Sequence, residues 1–277
     1  MKYLILNADD YGLPPGVSRG IRYAFLCGAL SSTTAMMNLP GAARDVGFAG
    51  RDAPGLPIGL HLCLTVGSPI TPPEKVPTLV DGAGHFPSRV EFLERLDSVS
   101  PEEAGREFRA QIEALLALDV TPDHLDSHHF VSYLSPEILE QTIRLAEEYH
   151  LGLRPPISCD GTVSDLFLGL PESVASFLEQ SAGVMIRQAS VPTADRLYLS
   201  LYDKTSTGKD LTKILNELPD GWNEIMCHPG FADSGLRDVN DYVEERGDEL
   251  SLLTESGLPG LIASRGISLS GYAQLNV

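Results

Sequence analysis

Cysteine is scarce in this chain and carries no pattern. Cys27, Cys63, Cys159 and Cys227 are the four cysteines among 277 residues, without a C-x-x-C pair or a short regular spacing, which excludes a zinc knuckle and a disulfide-stapled scaffold. Reduced thiols in a cytoplasmic protein are the expectation. Positive charge is also in short supply: 20 Lys and Arg against 38 Asp and Glu leave a formal charge of -18. Such a surface repels phosphate backbones and anionic lipids, so nucleic acid is not an expected partner and a neutral or weakly charged small molecule fits better. Long apolar runs are missing too. Met1-Lys2-Tyr3-Leu4-Ile5-Leu6 reaches Asn7-Ala8-Asp9-Asp10 too soon for the apolar region of a signal peptide, and no later run approaches the roughly 18 residues of a membrane span. Neither export nor a membrane span is expected.

What remains is an ordinary globular composition, 43% hydrophobic and 21% charged, able to bury a large core. No repeat, low-complexity tract or linker divides it, so residues 1–277 are expected to form one domain, a length that α/β barrels reach around a single core. Apolar runs of strand length alternate with amphipathic stretches, the pattern of βα units. Strands are expected near 3–6, 32–37, 58–64, within 122–130, and near 151–154, 196–201 and 224–226. Helices are expected near 16–27, 101–118, 136–149, 171–180, 210–218, 240–256 and 258–263. Ser100-Pro101-Glu102-Glu103 and Ser135-Pro136-Glu137 each place an N-cap serine before a proline at the first helical position. The Pro-, Gly- and Asp-rich stretch 69–89 reads as a long loop of the kind that serves as a substrate lid.

The chemically distinctive residues fall just past the carboxyl ends of the expected strands: Asp9 and Asp10, His61, Asp126 and His128, Arg154, and His228. In parallel α/β sheets and barrels the active site lies at that face. Neighbouring side chains on an extended segment point in different directions, so Asp9 and Asp10 can divide metal binding from action on a water; an Asx turn or helix cap is the plainer alternative. His61 fits a hydrogen-bonded core histidine as well as a ligand, and Arg154 fits a surface arginine as well as a partner for an aspartate. The most specific stretch is His124-Leu125-Asp126-Ser127-His128-His129, which holds three of the chain's seven histidines beside an aspartate. That composition points to a metal or catalytic site without deciding which ring ligates. His228, restricted to extended backbone by Pro229, suits a general acid at a strand tip, or a turn.

Asn7-Ala8-Asp9-Asp10-Tyr11-Gly12, Gly59-Leu60-His61-Leu62, His124-Leu125-Asp126-Ser127-His128-His129 and Cys227-His228-Pro229 together resemble, in order, the motifs of the YdjC-like carbohydrate deacetylases. Ser31-Ser32-Thr33-Thr34-Ala35-Met36-Met37-Asn38 is similar to the family's second-strand segment. The resemblance implies an α/β fold, a single-domain deformed (β/α) barrel of TIM-like type with its active site at the C-terminal strand ends. It also implies a hydrolase that binds one divalent ion, magnesium or zinc, and removes the acetyl group from an N-acetylated amino sugar, so that a carbohydrate is the expected partner. By the family pattern Asp10, His61 and His128 are the ligands, Asp9 the base, His228 the acid, donating as imidazolium, and Arg154 the residue that orients Asp9. Many members continue the cluster as H-H-H-V-H, whereas this chain has His128-His129-Phe130-Val131-Ser132, which bears on substrate identity. Two rivals stay open, a phosphoesterase with two metal ions and a non-enzymatic protein that binds metal and sugar. A homo-oligomer is left open as well.

Overall fold

The computed structural model describes residues 1–156, 169–189, 191–202, 208–237, 242–255 and 257–275; Cys159 and parts of the expected 240–256 helix lie outside the described residues. The strands among the described residues are β1 (Lys2–Tyr11), β2 (Ser32–Ala35), β3 (Ile58–Leu62), β4 (His124–Ser127), β5 (Gly152–Leu153), β6 (Arg196–Tyr198), β7 (Gly221–Cys227) and β8 (Ile267–Leu269). They form one parallel sheet in the order β5-β4-β3-β2-β1-β7-β6. One edge of β1 pairs with β7 over Lys2–Ala8, while the other is shared, β8 taking Lys2–Leu4 and β2 taking Asn7–Tyr11. The sheet curls into a half-barrel. Its outer strands are linked by Leu153 N–H donating to the Pro192 carbonyl at 2.8 Å, with no ladder between β5 and β6 among the described residues. This is the deformed barrel that the family resemblance implies.

The helices are α1 (Pro15–Leu26), α2 (Ala42–Asp52), α3 (Arg89–Glu94), α4 (Pro101–Leu116), α5 (Pro136–Tyr149), α6 (Glu172–Phe177), α7 (Gly183–Gln188), α8 (Gly208–Glu217), α9 (Ser234–Arg237), α10 (Glu244–Glu255), α11 (Leu258–Ser264) and α12 (Tyr272–Leu275). Both expected serine caps form, Ser100 accepting from Glu103 N–H and Ser135 from Ile138 N–H. Helix α2, absent from the sequence reading, has only the thin apolar stripe Ala42, Val46 and Ala49. Strand β8 has three residues, too few for a periodic signal. Leu4, Ile5, Leu6 and Ala8 are all buried, as befits a central parallel strand covered on both faces. Val17, Ile21 and Ala24 of α1 and Phe108, Ile112 and Leu115 of α4 cover the sheet, each large side chain contributing about 1.5–3 kcal/mol. The 69–89 segment is a packed cover on α4: Val76 and Leu79 are buried, and Glu107 and Glu103 accept from the N–H groups of Ile70, Thr71 and Thr78.

The barrel interior departs from the aliphatic layers usual in such folds. At its lower end His124 stacks on Tyr272, ring centroids 4.0 Å apart. Gly59 and Gly152 make room for this pair. A Cβ on Gly59 would lie 2.5 Å from His124 Nδ1, and one on Gly152 2.6 Å from the Tyr272 ring. Above it the interior becomes a column of charged side chains that ends at the carboxyl ends of the strands.

Candidate metal centre and active site

The column begins with a bulge. Between the pairs Ala8↔Thr33 and Tyr11↔Ala35, β1 sets two residues, Asp9 and Asp10, against the single Thr34 of β2. Asp10 takes a left-handed φ of 72°, a conformation that costs about 1–2 kcal/mol for a residue with a Cβ and is best tolerated by Asn and Asp. Strand alternation would have sent the two carboxylates to opposite faces. The bulge instead turns both into one pocket of about 100 Å³, which His61, His128, His228 and Arg246 also line.

Asp10 Oδ1 stands 3.3 Å from His61 Nε2 and 3.0 Å from His128 Nδ1. These donor atoms lie within 4.8 Å of one another, a group that could hold a metal ion. Each is held from behind. Arg246 Nη2 donates to the other oxygen of Asp10 at 2.5 Å. Asp126 Oδ1 lies 2.7 Å from His61 Nδ1, the carboxylate–imidazole arrangement that turns Nε2 towards a metal position. The His129 ring packs 3.9 Å from that of His128 at the start of a tight turn in which His129 and Phe130 have φ of 53° and 58°. The two positions that depart from the family pattern have separate surroundings: Phe130 lines the pocket, and the Ser132 hydroxyl pairs with that of Ser127 at 2.7 Å.

Arg154, 1% exposed, is the hub of the carboxylates below. It donates from Nη1 and Nη2 to Asp9 at 2.6 and 2.7 Å and from Nε to Glu224 at 2.8 Å, and Nη1 lies 2.9 Å from Asp126. Tyr272 donates to the second Glu224 oxygen. Asn7, bonded to Ser32, adds a donor to Asp9 at 2.8 Å. Asp9, His61 and Asp126 also converge closely enough to suggest a second ion. There, however, the Arg154 guanidinium already bridges the two carboxylates.

Electrostatics follow from this burial. Asp9, Asp10, Asp126 and Glu224 are four buried carboxylates facing the two guanidiniums of Arg154 and Arg246, an excess of negative charge that a cation would neutralise. Burial opposes ionisation of Asp9, yet Arg154 outweighs it and holds the carboxyl at about 2. At Asp10 burial is likewise overcome, by Arg246 and His128. Burial also disfavours a charged His61, but Asp126, Asp10 and Asp9 raise it to about 10. His228 behaves oppositely: burial lowers it to about 4, against the partial opposition of Asp10 and Asp9. Before substrate arrives, burial therefore favours the uncharged ring at neutral pH. Its Nδ1 has no partner among the described residues, its backbone N–H donates to Glu249 at 2.6 Å, and the rings of Tyr202 and Tyr242 lie 4.8 and 5.9 Å away.

Asp9, Asp10, His61, His128, Arg154 and His228 thus meet at one place, while His124 remains in the lower layer. Arg246, Glu224, Glu249 and Tyr242 escaped the sequence reading. Arg246 and Glu249 belong to a helix that opens Glu-Glu-Arg-Gly-Asp-Glu, which reads as a solvated face, and Glu224 reads as the polar side of a strand.

The chain is similar to known proteins along nearly its whole length. A family model described as YdjC-like protein matches residues 3–264. A carbohydrate deacetylase of Geobacillus stearothermophilus is 32% identical over 274 residues, 99% of this chain and 98% of that protein. A crystal structure from Enterococcus faecalis V583, provisionally named a cellobiose-phosphate cleavage protein, has a TM-score of 0.85 at 34% identity, covering 99% of this chain and 98% of that one. The family 4 carbohydrate esterase of Streptomyces lividans, solved with acetate, has a TM-score of 0.50 at 10% identity over 97% of this chain and 91% of that one, a likeness of fold alone. By the extent of the family match and the identity of these relatives, the chain belongs to the YdjC-like family.

Proposed function

We propose that this chain is a metal-dependent hydrolase that removes the acetyl group from an N-acetylated amino sugar, an N-acetylglucosamine-containing oligosaccharide or conjugate, with residues 1–277 forming one catalytic domain. The observation that carries the reading is the convergence of Asp10, His61 and His128 within 4.8 Å beside an Arg154-bound Asp9 and a buried His228. Relatives named carbohydrate deacetylase support the substrate class.

Asp10, His61 and His128 would hold the ion, which when bound acidifies a water and polarises the acyl carbonyl. Their donor set of two imidazole nitrogens and one carboxylate oxygen suits zinc better than magnesium. Asp9, fixed by Arg154 and Asn7, accepts a proton as the water oxygen bonds to the acyl carbon and the carbonyl π pair moves onto oxygen. His228 enters uncharged, so it relays the proton given up by the water instead of bringing its own. Asp9 passes that proton through His228 to nitrogen, the oxyanion pair re-forms the carbonyl as the C–N bond breaks, and the acetic acid and free amine released ionise to acetate and ammonium at neutral pH. One positioned acid or base contributes about 10²–10⁴ in rate.

The phosphoesterase alternative needs a second ion where Arg154 bridges Asp9 and Asp126. The test is acetate release from a panel of N-acetylated mono- and oligosaccharides. Acetate and free amine are expected in equal amounts, lost with chelator and restored by added zinc. Phosphate release from sugar phosphates with two ions bound per chain would overturn this reading, as would tight sugar binding with no acetate released under any metal.

A further inference from the structure

Arg246 is 2% exposed, and two of its three nitrogens are engaged. Nε donates to the Tyr242 carbonyl at 3.1 Å and Nη2 to Asp10 Oδ2 at 2.5 Å. Nη1 is shielded from solvent and has no hydrogen-bond partner among the described residues, although the residue lines the pocket that holds Asp9, Asp10 and His228. A buried guanidinium donor left unpaired loses its hydration without compensation, so its retention in a site calls for a partner that arrives with the ligand. The two engaged nitrogens fix the plane of the guanidinium, so Nη1 is oriented before any ligand arrives.

We propose that Arg246 Nη1 is a binding donor for an anionic oxygen on the acyl carbon, the oxygen that gains charge as water adds to the acetyl group and that persists in the acetate product. The assignment rests on the deacetylation reading for the identity of the acyl group. The donor-only chemistry of guanidinium excludes an N–H or another donor as the partner, and an anionic oxygen gives the strongest charge-assisted bond. Arg246 also neutralises Asp10, so the surroundings of Nη1 become more positive once a divalent ion is present, which favours an anion over a neutral sugar hydroxyl.

The test uses the full chain at saturating zinc, with acetate titrated as the probe and zinc affinity measured separately. Arg246→Lys keeps a cation beside Asp10 but loses the planar fork, while Arg246→Gln removes the charge. Both variants are expected to bind acetate at least about tenfold more weakly than wild type, with the lysine variant holding zinc as wild type does. In turnover the loss falls on kcat more than KM, because the bond strengthens as charge develops. A residue that merely held Asp10 in place would weaken zinc and acetate together and be rescued by lysine, and that outcome overturns the proposal. Should the variants not fold, wild-type crystals with zinc and acetate decide: a carboxylate oxygen within about 3.2 Å of Nη1 is expected, and acetate bound away from Nη1, or not bound at all, refutes it. Acetate binding that depends on Arg246 in a protein that deacetylates no sugar would sink the proposed function while leaving this anion site standing.

Discussion

Loading a divalent ion between Asp10, His61 and His128 is expected to expel about one proton at pH 7, and the proton comes from His61. Without a cation, Asp126 and Asp10 flank the His61 ring at 2.7 and 3.3 Å and carry its pKa to about 10 despite complete burial. An ion that needs the bare Nε2 must displace that proton. Three pH units separate neutrality from the pKa, so the competition weakens apparent affinity by about 10³, or about 4 kcal/mol. Zinc titration calorimetry in buffers of different ionisation enthalpy reads the proton directly, and apparent affinity should rise about tenfold per pH unit between about 6 and 9. Asp126→Asn removes the leading charge that favours the imidazolium, so proton release should shrink and the pH slope flatten. A second readout comes from the metal-free protein. A folded-state pKa of about 10 against an ordinary value near 6.5 means that His61 stabilises the fold fully below about pH 6.5 and loses that contribution as pH rises through about 10. Zinc saturation should abolish this dependence. Ion binding without proton release, and with pH-independent affinity across that window, would refute the electrostatic account of the site.

Asp9→Asn should keep its metal, measured by elemental analysis of the purified protein, while kcat falls by about 10²–10⁴; turnover near wild type would remove Asp9 from the role of base. Arg154→Met should destabilise the fold by about 3–5 kcal/mol in urea titration, because Asp9, Asp126 and Glu224 are left buried without their shared cation. Phe108→Ala on α4, where the side chain is fully buried, should cost a similar 3–5 kcal/mol by cavity formation but leave zinc affinity unchanged. The contrast between these two separates damage to the charged column from damage to the core.

The alternation of strands and helices was legible because it depends on local patterning. Apolar runs near 3–6 and 58–64 appear as strands at Lys2–Tyr11 and Ile58–Leu62, and the serine-proline caps mark two helix starts within a residue. How the 69–89 loop is held was hidden for a tertiary reason, since Glu103 and Glu107 of α4 satisfy its backbone and Val76 and Leu79 anchor it from below. The way Asp9 and Asp10 cooperate was hidden for a backbone reason. Alternation along a strand separates neighbouring side chains, and only the insertion opposite Thr34 with a left-handed Asp10 reunites them.

Charge balance was the least legible property, and it governs the site most. Asp9, Asp10 and Asp126 stand out at strand ends, but in a chain with acidic residues in surplus everywhere nothing marks Glu224 as removed from water with them. Nor does the sequence show that Arg154, from the end of β5, and Arg246, from α10, reach the same column from 92 residues apart in sequence. Once they do, each guanidinium has a different consequence. Arg154 bridges Asp9 and Asp126 and leaves no room for a cation between them, whereas Arg246 takes one oxygen of Asp10 and leaves the other facing His61 and His128. The same pair of arginines therefore fills the space between one pair of carboxylates and leaves an Asp10 oxygen open beside two imidazoles, which supports the proposed one-ion centre. A single ion suits water addition to an acyl carbon, where one Lewis acid meets both the water and the carbonyl, more than the two-ion clamp of phosphoryl chemistry.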